Sequence, residues 1–154
     1  MKTLIAGIGS TIRRDDGIGV HVLDRLRELD LGPDVELCEL GTGGLALIDR
    51  LDGHSRLIVI DAIQSGAPPG TIVELSGSGM ARAVHLASGH EADLPATLEV
   101  ARQLLDRPLP GDDSVVVVAI EAADICTFSE QLSEPVAAAI PAAVERVLQI
   151  LKQQ

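Results

Sequence analysis

The chain has 154 residues, 46% of them apolar and 23% charged, which is the length of one domain with enough Leu, Val, Ile and Ala for a core, and excludes a disordered segment. Lys and Arg number 12 against 23 Asp and Glu, for a formal charge of −11, and the aromatic content is a single Phe, Phe128. Such a chain has neither the field nor the stacking surface that nucleic acid requires.

Thr3 to Ile8 is a short apolar run that stops at glycine, which predicts a buried strand and so a parallel sheet. The opening MKTLIAGIG breaks at Gly7 and Gly9, too soon for a secretory signal, and no run approaches the roughly 18 to 20 apolar residues of a membrane span. The expected setting is cytoplasmic, with no membrane partner. After Asp15, Asp16 and Gly17, the residues Ile18, Val22, Leu26 and Leu29 recur at helical spacing and predict an amphipathic helix ended by Gly32 and Pro33. Val35 to Leu40 reads as a second strand, Gly41 to Gly44 as a turn, and the residues up to Leu51 as a short helix. Cys38 lies inside that strand pattern and reads as core rather than nucleophile; with Cys126 far away there is no CxxC pair.

Arg56 to Ile60 is a continuous apolar strand that ends in Asp61. A turn at Ala67 to Gly70 leads into a strand from Thr71 to Leu75, antiparallel because the connection is too short for a crossover helix. Ser76 to Gly89 lacks periodicity and reads as loop. Leu94, Leu98, Ala101 and Leu105 mark a helix, Ser114 to Ile120 a further buried strand, and Val136, Ile140, Val144, Val147 and Leu151 the closing helix.

These elements predict an α/β chain, one domain over residues 1–154. Its architecture is a three-layer αβα sandwich: a mostly parallel five-stranded sheet with one antiparallel strand and helices on both faces. Ligands of such sheets collect at the carboxyl ends of the strands. Attention therefore falls on the polar residues there: 10 to 16, 39 to 44, Asp61, and 121 to 124.

Residues 7 to 19 begin like a dinucleotide loop, but the helix starts too late for its N-terminus to meet a pyrophosphate. The acidic pair Asp15 and Asp16 is open to two readings, a helix N-cap or a ligand pair, and Asp61 either caps the loop that follows it or serves as a ligand. His90, in a loop before a helix, adds an imidazole; two carboxylates and one imidazole form a workable divalent-metal shell with open positions. His21, His54 and His85 read as surface residues.

Taken in order, GIGSTIRRDDGIGV at 7 to 20, ELGTGG at 39 to 44, LIVIDAI at 57 to 63 and SGHEADL at 88 to 94 closely resemble the hydrogenase maturation endopeptidases. That resemblance implies a twisted five-stranded sheet between helices. It further implies a nickel-dependent protease that removes a short C-terminal extension from the nickel-loaded precursor of the NiFe hydrogenase large subunit. The metal ligands then fall on Asp16, Asp61 and His90, which are also the residues on which catalysis depends. Substrate positioning falls on Glu39, Gly41, Thr42, Gly43 and Gly44. Two positions depart from the family pattern: Ser10 stands where asparagine is usual, and Glu39 where aspartate is frequent.

The expected cofactor is nickel carried in by the substrate, with another divalent metal as the candidate occupant in isolation. The expected partner is the large-subunit precursor, docked transiently by a monomer. The competing reading is a non-catalytic metal-sensing chaperone of the same subunit that uses the same three ligands.

Overall fold

The computed structural model describes residues 1–41, 45–76, 94–106 and 108–153. Five strands, β1 (Thr3–Ile8), β2 (Val35–Gly41), β3 (Arg56–Ile63), β4 (Ile72–Ser76) and β5 (Val115–Glu121), form one sheet in the order β2-β1-β3-β5-β4. The three uninterrupted apolar runs occupy the three inner places, where both faces are covered. β4 alone runs antiparallel, with Ile72 opposite Ile120 and Ser76 opposite Val116, as its short connection to β3 demands.

Alternate side chains of the inner strands feed two separate cores. Ile5, Ile58, Ile60, Val116, Val118 and Ile120 pack under α1 (Ile18–Arg27) and α4 (Glu134–Lys152). Leu4, Ala6, Leu57, Val59, Val115 and Val117 point the other way, under α2 (Leu45–Arg50) and α3 (Leu94–Leu104). The predicted three-layer αβα sandwich is therefore the observed one. Helix α1 has only 10 residues, too few to persist alone, and is held by full burial of Ile18, Val22, Leu23 and Leu26. Each such burial contributes about 1.5–3 kcal/mol gross. Its approach to the sheet is close: a Cβ at Gly19 would lie 2.4 Å from the Ile60 carbonyl oxygen.

The order of the strands decides where a ligand can sit. The chain leaves β1 through α1 for β2 on one side, then returns past β1 through α2 to β3 on the other. Right-handed crossovers of opposite sense put α1 and α2 on opposite faces and leave a crevice between the carboxyl ends of β1 and β3.

Three expectations change in detail. β3 does not end at Ile60, because Asp61, Ala62 and Ile63 keep pairing with β5; only its pairing with β1 stops, at Gly7 opposite Ile60. Helix α1 ends at Arg27, so Leu29 falls beyond the apolar stripe and is 44% exposed. His54 is buried, not a surface residue, because the tight return from α2 into β3 tucks its ring inward, with Nε2 3.3 Å from Glu36. Cys38 is core as expected, and burial pushes its thiol up to about 11. Among the described residues no helix is long and apolar enough to cross a membrane.

Candidate active site

Asp16 follows β1 in a single 3-10 turn, Arg14–Gly17, that rests against β3 and leads directly into α1. Its side chain does not cap α1, and neither does that of Asp15: the cap position is Gly17 and carries no side-chain hydrogen bond. Asp16 folds back over the loop instead. Its Oδ2 accepts the Ser10 N–H at 2.9 Å, a bond from the main chain, so serine in the place of asparagine leaves it unaffected. The fold-back is permitted by Gly9, which has φ +128 and lies so close that a Cβ there would stand 1.8 Å from the Asp16 carbonyl oxygen.

Asp61 lies inside β3, one residue past the point where β1 departs, so the crevice opens beside it. Its neighbours Ile60 and Ala62 belong to the α1/α4 core, and Val59 and Ile63 to the opposite one. Alternation therefore directs Asp61 to the α2/α3 face. Its Oδ1 accepts the Ala62 N–H at 2.7 Å.

Among the described residues the buried carboxylates are Asp15, Asp16, Asp61 and Glu121, all at the carboxyl ends of β1, β3 and β5. Their hydrogen bonding divides them. Glu121 accepts from the N–H groups of Ser65 and Gly66 and from the Ser65 hydroxyl, which fixes the turn after β3. Asp15 accepts from Ser133 N at 2.7 Å, Ser133 Oγ at 2.8 Å, Ala123 N at 2.9 Å and Asp124 N at 3.0 Å. Asp16 Oδ1 and Asp61 Oδ2, by contrast, are buried with no hydrogen-bond partner. An unpaired buried carboxylate oxygen is costly, and such oxygens persist where an ion or reacting group completes them.

Asp15 is a residue that sequence reasoning misjudged. It is neither a cap nor one of the two donors with a free oxygen; it pins the segment after β5 to the loop after β1. Asp15→Ala should strand several buried N–H donors and lower stability in urea unfolding by about 3–5 kcal/mol. A cost near zero would mean that the two loops hold each other without it.

The remaining sequence-derived residues are placed as follows. Glu39 is exposed on edge strand β2, where its Oε1 accepts from Arg27 Nη1 at 3.0 Å. Gly41 closes β2 with φ +58, and its carbonyl accepts the Gly9 N–H at 2.8 Å, which joins the two loops at the crevice. Thr42, Gly43, Gly44, His85 and His90 lie outside the described residues. Among the described residues no group of three or more His, Cys, Asp or Glu side chains is arranged to hold a metal. Asp16 and Asp61 each keep one carboxylate oxygen without a partner among the described residues.

The fold and this crevice have counterparts. A family model described as hydrogenase maturation protease matches residues 20–150. The hydrogenase expression/formation protein HupD of Rhizobium leguminosarum bv. viciae is 29% identical over 154 residues, with 98% of this chain and 74% of that protein covered. Among solved structures, the hydrogenase maturating endopeptidase HybD from E. coli superposes with a TM-score of 0.86 at 27% identity, covering 99% of this chain and 93% of that one. The NiFe hydrogenase maturation protease HybD from Thermococcus kodakarensis gives 0.77 at 25% identity, covering 99% and 100%. With most of its length matched by the family model and nearly all of it superposed on these structures, this chain belongs to the hydrogenase maturation protease family.

Proposed function

We propose that the chain is a metal-dependent endopeptidase that removes a C-terminal extension from the nickel-loaded precursor of a NiFe hydrogenase large subunit. The observation that carries this reading is the division among the buried carboxylates: Asp16 and Asp61, flanking the crevice between β1 and β3, each keep an oxygen free where Asp15 and Glu121 keep none. Asp16, Asp61 and His90 would hold the ion, which arrives with the substrate. A divalent ion bound there polarises the scissile carbonyl or lowers the pKa of a water.

The chain's own part is positional. The Ser10 N–H and Gly9 fix Asp16 and the Ala62 N–H fixes Asp61, so both carboxylates sit on pinned backbone at the carboxyl ends of β1 and β3. Gly41 and the residues that follow it, Thr42, Gly43 and Gly44, would position the peptide, while Glu39, paired with Arg27 of α1, faces the side of the sheet opposite Asp61. A precursor without nickel offers these donors nothing to grip, so cleavage doubles as a check that the metal has been inserted. The protein would act as a monomer on a transiently docked partner.

Intact-mass analysis of a large-subunit precursor, incubated with the protein with and without prior nickel loading, tests this. Loss of one C-terminal fragment from the loaded sample alone is the expected result. An uncut precursor that still forms a stable complex would favour the chaperone reading.

A further inference from the structure

The loop carrying Asp16 is joined to the segment after β5 along their outer edges as well as through Asp15. The Ser129 N–H donates to the Ile12 carbonyl at 3.0 Å, the Arg14 N–H to the Ser129 carbonyl at 2.9 Å, and the Asp15 N–H to the Asp124 carbonyl at 3.0 Å. A tight turn at Asp124, whose carboxylate accepts from the N–H groups of Cys126 and Thr127, then turns Phe128 outward. The outcome is an exposed apolar pair on rigid backbone: Ile12 is 52% exposed and Phe128, the chain's only aromatic residue, is 81% exposed. Next along both segments, Arg13 pairs with Ser129 in a bridge, and among the described residues Arg13 has no ion-pair partner in a chain of charge −11.

A large apolar side chain carried into water on hydrogen-bonded backbone loses little further backbone entropy when it is covered, which is the property of a binding anchor. Its position identifies what covers it. Ile12 precedes Asp16 by four residues, so the two lie within about 14 Å of one another along the chain, the reach of about four residues of extended peptide. A second copy of this chain is disfavoured, since it would bring −11 against −11.

We propose that Ile12, Arg13 and Phe128 form the docking platform for the precursor segment beside the scissile bond: an apolar side chain covers Ile12 and Phe128, and a neighbouring carboxylate of the same partner meets Arg13. The platform sets affinity and leaves the chemistry to the crevice. This inference rests on the endopeptidase reading above for the identity of its partner.

Its test is to measure steady-state cleavage, and equilibrium binding of the same nickel-loaded precursor, for the wild type, Phe128→Ala, Ile12→Ser, Arg13→Glu and Arg13→Lys. Phe128→Ala is expected to raise KM and Kd at least about tenfold with kcat held within about twofold. Arg13→Glu should weaken binding further, and Arg13→Lys should restore most of it. Unchanged KM and Kd in Phe128→Ala would overturn the platform, as would the loss of a self-associated form with precursor affinity intact. If the wild type binds the precursor without cutting it, the peptidase reading falls, and the platform is then judged on the affinity ratio alone. No binding by the wild type would remove both.

Discussion

Asp16→Ala and Asp61→Ala are each expected to cut precursor processing by more than about a hundredfold while the sheet and both cores survive. Loss of a group that only orients a metal ligand costs about 10–100-fold, so under the proposed function, in which both residues hold the ion directly, the loss should exceed that range. Stability should change far less than activity. In the metal-free protein each aspartate holds a buried oxygen that nothing completes, while its other oxygen is satisfied by a main-chain N–H. Asp61→Asn keeps an acceptor for the Ala62 N–H, so urea unfolding should stay within about 1 kcal/mol of the wild type with activity lost. A destabilised Asp61→Asn would show that the carboxylate has a structural partner after all. Full activity in either alanine variant would remove it from the site.

Gly9→Ala is expected to be the most damaging small substitution in the described part of the chain. The backbone there has φ +128, and the new Cβ would meet the Asp16 carbonyl oxygen at 1.8 Å, a main-chain atom that no rotamer change can move aside. Backbone strain of about 1–3 kcal/mol adds to an overpacking cost of similar size, for about 2–6 kcal/mol in all. Gly32→Ala separates the two effects. Gly32 also has positive φ, +84, but its Cβ would meet nothing within 4 Å, so the conformational cost of about 1 kcal/mol should stand alone. Because Gly9 supports Asp16 directly, its variant should lose processing even under conditions where it stays folded. Equal unfolding midpoints for the two variants would show that the loop gives way around Asp16.

What could be read from the sequence follows the range of the forces involved. The runs TLIAGI, RLIVI and SVVVVAI announce inner strands because a strand covered on both faces needs apolar residues throughout. The antiparallel edge strand is legible from the brevity of its link, a matter of chain length alone. Asp15 and Asp16 are another case. Side by side in sequence and both fully buried, they differ in what reaches them from more than a hundred residues away: Ser133, Ala123 and Asp124 close on Asp15 and leave Asp16 an open oxygen. No local pattern carries that distinction; the choice of Asp16 came from resemblance. The extension of β3 past Asp61 and the burial of His54 escaped for the same reason. A polar residue looks like an end or a surface until the neighbour that accommodates it is known.

The link between Asp15 and Ser133 joins residues 118 apart, and this separation bears on when the protein becomes competent. A chain emerging from the ribosome at about 5–20 residues per second needs about 6–24 s to supply the second partner after the first. During that interval β2, β3 and β5 are all made and can pair around β1, but the loop bearing Asp16 has no Ser133 to hold it from the far side. Contacts of such long sequence separation slow folding. The Asp15–Ser133 link, which holds that loop from the far side, therefore forms only after translation has passed Ser133.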